Sequence, residues 1–326
     1  MSDSALADSS HATCEWDLVS LGEPMVEFSS LPGLPGQYLQ GFGGDTMNVA
    51  IAAARQGARV AYITRIGNDE FGQQLQSLWR REGIDQRGIH VDDESPTAIY
   101  FISHGAEGHT FTYRRVGSAA SKLTHRDLPL EVLERSRFFH TSGITQAIST
   151  SACDAAFDAM ERARQQGVKV VYDSNFRMRL WPLRRAKAVI ETSISLSDFF
   201  LPSLEDARTL TGHSEPEAIV EWALSLGARH VALKLGAEGV LASDGRKSFR
   251  IPALEISFLD ATGAGDCFAG ALIAEMASGR TFEQALAYAN CAAGLVCEGF
   301  GAITPLPSRE EVEKALRART NRRETS

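Results

Sequence analysis

Hydrophobic and polar positions along this chain fall into two alternating textures. Short, mostly apolar runs read as strands buried on both faces, and longer segments with apolar residues at helical spacing read as helices packed on one side. Residues 16–22 (WDLVSLG) form the first such strand, 46–58 a helix stopped at Gly57, 59–67 a strand and 69–83 a helix ending at Gly83. The alternation resumes with a strand over 137–143, a helix over 151–167, a strand over 168–175, a helix over 183–194 and a strand over 198–203. A helix from Leu204, another over 217–226 and a strand over 230–236 follow. Two long Ala-rich helices come after Gly265, and the last helix opens on Ser308 and Glu311, the spacing of a capping box. This order predicts an α/β fold with a mostly parallel central sheet flanked by helices.

One region breaks the rhythm. Between Pro96 and Lys122 two strand-like runs, TAIYFIS and HTFTYRR, are separated only by HGAEG, which is a hairpin signal. Residues 23–42 are irregular, with Pro24, Pro32, Pro35 and several glycines. Together the two segments, 23–42 and 96–122, predict a small β-rich lid.

Composition narrows the picture. A chain of 326 residues that is 44% hydrophobic fits one large α/β domain with a small appendage, expected over 15–318. The polar, acidic stretch 1–14 lacks the basic start and apolar run of a signal peptide and is expected to be a disordered tail, with a second polar tail over 319–326. No apolar run approaches a membrane span, and a net charge of −8 without a basic face argues against nucleic acid. Five cysteines without a C-x-x-C pair suggest reduced thiols and a cytoplasmic protein rather than a zinc site or a disulfide framework.

The candidate chemistry sits in four motifs. In LDATGAGDCFAG, Gly263, Ala264 and Gly265 are expected directly after a strand and before a helix, so backbone N–H groups and the helix N-terminus converge on an anion. Asp266 follows at once. As a base it takes a proton from an attacking hydroxyl while the loop stabilises the transferring group; the plain alternative is a helix cap. FGGDTMN offers Gly44 for close approach and Asp45 and Asn48 for polar contacts, or simply a capped helix start. YDSNFRMRLW crowds Asp173, Asn175, Arg177 and Arg179 just past a strand end, where open parallel sheets bind ligands. KLGAEG, with Lys234, Gly236 and Gly239, lacks the G-K-[ST] ending of a Walker A loop and is either a ligand loop or a tight turn between two strands. On the hairpin, Arg115 suits a carboxylate, and Tyr100 and Tyr113 offer flat rings and hydroxyls for packing and hydrogen bonding.

In order and spacing these motifs resemble the ribokinase-like (PfkB) family of carbohydrate kinases over about 16–316. GGDTMNVAIAAARQG is similar to its N-terminal signature and DATGAGDCFAGAL to its C-terminal one. Within the family, LGEPMVEF, GFGGDT, TYRRVGSAAS, SGIT, NFRMRLW and GFGAITP most resemble 2-keto-3-deoxygluconate kinases. The resemblance implies a ribokinase-like fold and phosphorylation of the C6 hydroxyl of that acid sugar. It implies sugar contacts from Gly44, Tyr100, Tyr113, Arg115 and Arg177, with Asp266 as base. ATP contacts would come from Asn175, Ser203, the Lys234–Gly239 turn and Gly263–Gly265. Mg²⁺ would accompany ATP, with room for a monovalent cation such as K⁺ near the DATGAGD loop.

Two positions depart from the family pattern. Ser203-Leu204-Glu205-Asp206 stands where N-x-x-E is usual, and Ala261 where Thr or Pro is common. The rivals are a kinase of the same fold for another sugar such as fructose, and a sugar- or nucleotide-binding regulator without turnover. A dinucleotide oxidoreductase is disfavoured, since no G-x-G-x-x-G follows the first strand. A β-rich lid with apolar faces further suggests pairing with a second copy, as a dimer or higher homo-oligomer.

Overall fold

In the computed structural model, residues 14–31, 33–105 and 108–324 are described. Most of the expected N-terminal tail therefore lies outside the described residues, as do the tip of the lid hairpin and the last two residues of the chain.

The main sheet has nine strands: β1 (Trp16–Leu21), β4 (Val60–Gly67), β5 (Asp85–Asp92), β8 (Ser136–Ser142), β9 (Lys169–Asp173), β10 (Phe199–Phe200), β11 (His230–Lys234), β12 (Val240–Ser243) and β13 (Ser248–Ile251). They lie in the order β13-β12-β11-β10-β9-β8-β1-β4-β5. All pairs from β11 through β5 are parallel; only β12 and β13, at one edge, run antiparallel. The lid is a separate sheet of four strands, β2 (Met25–Ser30), β3 (Tyr38–Gly43), β6 (Ile99–Gly105) and β7 (Gly108–Arg114), in the order β3-β2-β6-β7. The two irregular stretches of sequence thus pair with each other, through a parallel contact of β2 with β6.

Both faces of the main sheet are covered. On one face lie α1 (Asp45–Arg55), α2 (Glu70–Arg81), α9 (Ala264–Ala277), α10 (Phe282–Val296) and α11 (Arg309–Glu324), packed on Leu18, Phe138 and Val171. On the other lie α3 (Leu130–Glu134), α4 (Gly143–Ala147), α5 (Thr150–Gln165), α6 (Leu183–Ser195), α7 (Leu204–Thr211) and α8 (Pro216–Ser225), around Val19, Phe139 and Tyr172. Adjacent strand residues feed opposite cores because the side-chain period of a strand is two. Among the described residues no helix is long and apolar enough to cross a membrane. The backbone of α11 extends through Glu324, across most of the stretch expected as a polar tail.

Two strands were not anticipated and a third only as one alternative, while the strand expected directly before Gly263 is instead irregular backbone over 252–261. β5 (DQRGIHVD) and β13 (SFRI) are edge strands whose charged and polar residues reach solvent, so neither shows the continuous apolar run of a central strand. β12 was implied only by the tight-turn reading of KLGAEG, which the backbone adopts: a single 3₁₀ turn, Gly236–Glu238, joins antiparallel β11 and β12.

Candidate active site

The site forms where α1 and α9 begin, above the ends of β9 and β11. These two helices pack closely because their contact is made of small residues. A Cβ at Gly270 would lie 2.5 Å from the Val49 carbonyl oxygen, so only glycine permits this approach. Gly263 caps α9 in a left-handed conformation (φ 79°), with Ala302 backbone pressed against it. Ala264 and Gly265 open the helix, and Asp266 lies in its first turn. The Asp266 carboxylate does not cap the helix; it accepts a 2.8 Å hydrogen bond from Asn48 Nδ2 of α1. Asn48 and Asp266 are thereby locked across the helix pair.

The other motifs converge on the same place. Lys234 Nζ donates to Asp173 at 2.5 Å, and a Cβ on Gly265 would sit 3.3 Å from that nitrogen. Asn175, the one described non-glycine residue at positive φ (31°), donates through Nδ2 to Asp45 at 3.0 Å. Such a backbone is strained for a residue with a side chain, and Asn tolerates it best. Ser203 caps α7 by accepting from the Asp206 amide, and its backbone bridges to Lys234. The Asp206 carboxylate in turn accepts from the Phe176 amide at 3.0 Å. The departure from N-x-x-E therefore places a short carboxylate against the loop after β9.

Four carboxylates, those of Asp45, Asp173, Asp206 and Asp266, thus share one cleft with the cations Lys234 and Arg177. Burial pushes the Asp266 carboxyl up to about 7; the charges of Asp45 and then Asp173 add to the rise, and the Asn48 hydrogen bond and Lys234 oppose it. Burial also raises Asp45 and Asp206, with Asp173 as a like charge beside each and Arg177 opposing. A carboxylate half-ionised near neutrality, bordered by backbone N–H groups at a helix N-terminus, suits proton abstraction beside a developing anion.

The lid supplies the opposite wall. Gly43 leaves room for the Tyr100 ring, whose hydroxyl a Cβ there would meet at 2.3 Å, and Gly44 turns β3 into α1 at φ 119° against the Glu23 carbonyl. Tyr100 stacks on Tyr113, and its hydroxyl donates to Glu27. Tyr113 is 38% exposed, and Arg115, Arg177, Arg179 and Asp45 are its electrostatic neighbours, so β7 faces the loop after β9. Arg115 differs from expectation. Its guanidinium is ion-paired with fully buried Glu23, which also accepts from Ser118 at 2.9 Å. Arg177 is exposed, held only by a 2.9 Å bond to its neighbour's carbonyl, with no carboxylate within ion-pair distance among the described residues.

Sequence reasoning passed over Glu23 and Glu27. Both are acidic residues inside the otherwise apolar stretch LGEPMVEF, and both are buried. A carboxylate inside an otherwise apolar run is the signal that announces them.

The chain matches the model of the pfkB family carbohydrate kinases over residues 15–309. It is 32% identical to a 2-dehydro-3-deoxygluconokinase of Bacillus subtilis (strain 168), over 93% of this chain and 96% of that one. It is also 32% identical to fructokinase-1 of Oryza sativa subsp. japonica, over 92% of this chain and 96% of that one. Among solved structures, a fructokinase from Vibrio cholerae O395 in its fructose-, ADP- and calcium-bound form superposes with a TM-score of 0.82 at 26% identity, covering 92% of this chain and 98% of that one. A match along nearly the whole chain, with the glycine loop and its aspartate at the head of α9, places this protein in the pfkB family of carbohydrate kinases.

Proposed function

We propose that the protein transfers the γ-phosphoryl group of ATP to the C6 hydroxyl of 2-dehydro-3-deoxygluconate (2-keto-3-deoxygluconate), giving the 6-phosphate. The observation that carries this reading is Arg177: an exposed guanidinium at the strand end, with Tyr113, Asp45 and Asp206 as electrostatic neighbours but no ion-pair contact to a carboxylate among the described residues. A guanidinium so placed binds a substrate carboxylate in two-pronged fashion, which a neutral sugar has no use for.

Asp266 accepts the proton of the attacking hydroxyl. Asn48 aims the carboxylate, and the amides of Gly263, Ala264 and Gly265 bind the charge on the transferring phosphoryl group. Lys234, beside Gly265, moves from Asp173 to the phosphates, and Asn175, Ser203 and the Gly236–Gly239 turn border the nucleotide. Gly44, Asp45, Tyr100 and Tyr113 border the sugar. Four aspartates border the cleft, but among the described residues no group of three or more His, Cys, Asp or Glu side chains is placed to hold a metal ion by itself; Asp173 and Asp206 would lie nearest a Mg²⁺ that accompanies ATP. Bound there, such an ion would supply charge neutralisation of the phosphates. A monovalent cation by the DATGAGD loop, a cytoplasmic location and a pair of copies joined through the exposed Tyr38 and Leu39 of the lid belong to the same reading. Light scattering that finds only monomer at micromolar concentration contradicts the pairing.

One observation favours a second reading. Glu27, buried in the lid and bonded to Tyr100, has its carboxyl raised first by burial and further by the charge of Asp260. A carboxylate there accepts from sugar hydroxyls, which fits a neutral keto-sugar such as fructose. A coupled ADP-release assay with ATP and Mg²⁺ across acid and neutral sugars separates the two. The acid-sugar reading expects the highest kcat/KM for 2-dehydro-3-deoxygluconate; equal or better turnover of fructose overturns it, and failure to release ADP with any sugar tested favours the non-catalytic binder.

A further inference from the structure

Beneath the carboxylates lies a buried polar chain that the reaction as described does not use. Ser20 of β1 donates its hydroxyl proton to the Thr46 carbonyl at 3.0 Å, and the same oxygen lies 3.0 Å from His140 Nδ1 of β8. A serine hydroxyl has one proton, and Thr46 takes it. The bond to the ring must then run from Nδ1–H to the serine oxygen, which fixes the tautomer. His140 is 1% exposed, and among the described residues its Nε2 has no hydrogen-bond partner. Burial keeps the ring neutral by lowering its pKa to about 4; Asp173, which opposes this, and Lys234, which adds to it, are its charged neighbours.

Thr46 belongs to the first turn of α1, between Asp45, which meets Asn175, and Asn48, which holds Asp266. The side chain of Thr46 is tied separately to Tyr62 at 2.8 Å. Ser20 and His140 are direct cross-strand partners, so two central strands of the sheet grip one turn of the helix that aims the base. We propose that His140 is a positioning residue for phosphoryl transfer: through Ser20 it fixes the Thr46 carbonyl, hence the first turn of α1, hence the angle at which Asn48 presents Asp266. This rests on Asp266 acting as base but not on which sugar is the substrate.

The test measures kcat, both KM values, the pH dependence of kcat/KM and thermal unfolding for His140→Leu, His140→Asn and Ser20→Ala, using whichever sugar the wild-type chain phosphorylates. His140→Leu removes the donor and is expected to lower kcat about tenfold or more, as misaligned catalytic groups do. KM for ATP should stay within about twofold, since the glycine loop is untouched. A loosened Asn48 bond should move the acidic limb of kcat/KM upward by roughly half a pH unit, because hydrogen bonds to a carboxylate lower its pKa. Ser20→Ala should reproduce these effects, and the double variant should be no worse than either single one. His140→Asn keeps a short donor to Ser20 and should recover most of kcat. If His140→Leu does not fold, Ser20→Ala and His140→Asn carry the same comparison. Wild-type kcat and an unmoved pH limb in folded His140→Leu or Ser20→Ala, or no recovery in His140→Asn, would overturn the proposal. A wild-type chain that phosphorylates fructose but not the acid sugar removes the substrate reading and leaves this test intact.

Discussion

The floor of the cleft and the lid above it are built on different principles. The floor is made by α1 and α9, pressed together at Gly270 and Val49, with Asn48 and Asp266 bonded across them. The groups proposed to bind the anion are backbone amides placed by a left-handed glycine, so they need no side chain to hold them. The lid is a thin sheet whose charges are matched internally: Glu23 with Arg115 and Ser118, Glu27 with Tyr100. On the proposed reading the floor serves the phosphoryl transfer, and the lid and the strand-end loop carrying Arg177 select the sugar.

The largest effect should come from the floor. Asp266→Asn preserves size and can still meet Asn48, but it cannot take a proton. General bases contribute about 10²–10⁴-fold, so kcat should fall by that much while ATP still binds and sugar affinity drops only modestly. Steady-state kinetics with binding measured on the folded variant checks this. A folded Asp266→Asn with near-normal kcat would reduce the glycine loop to a helix start.

The lid should respond in stability before specificity. Arg115→Ala leaves Glu23 buried without its partner, and removing one member of a buried pair costs about 3–5 kcal/mol. Denaturant unfolding should show that loss, and Glu23→Gln in the same background should return part of it. If Arg115→Ala instead folds with undiminished stability and loses only affinity for the acid sugar, Arg115 contacts substrate directly and the lid is less self-contained than described.

A smaller effect separates the regions by pH. The Asp266 carboxyl, raised to about 7, must be ionised to act as base, so kcat/KM should rise about tenfold per unit below that value and flatten above it. Stability runs the other way. A carboxyl whose folded pKa lies above its unfolded one favours the folded state below the unfolded value of about 4, and this contribution is lost as pH rises through 7. Asp266→Asn should therefore unfold less readily than wild type at pH 8, and the difference should shrink on acidification. Equal stability of the two at pH 8 would argue that the carboxylate cluster carries no strain.

How much of this was legible in the sequence follows the same division. The alternation of strands and helices, the hairpin and the head of α9 came from local patterns, because a buried parallel strand and a glycine-led helix start each leave a short-range signature. Asp45, Asn48, Asn175, Lys234 and Asp266 do meet, as their positions at strand ends and helix starts suggested. Edge strands β5 and β13 were missed because their pattern answers to solvent rather than to a core. The partnership of Arg115 with Glu23 was missed because ion pairs between distant segments have no local signature, so an arginine on a lid strand looks available until its neighbour is seen. The link from His140 through Ser20 to Thr46 is hidden for the same reason.

The central claim is that Arg177 reads the carboxylate of an acid sugar. Its most direct test is the ratio of kcat/KM for 2-dehydro-3-deoxygluconate to that for fructose, in wild type and in Arg177→Ala. A charge-assisted hydrogen bond is worth roughly 1.5–3 kcal/mol, so the wild-type preference for the acid sugar should fall about ten- to a hundredfold in the variant, through KM for the acid sugar and with KM for ATP little changed. A variant that keeps the wild-type ratio would contradict the account.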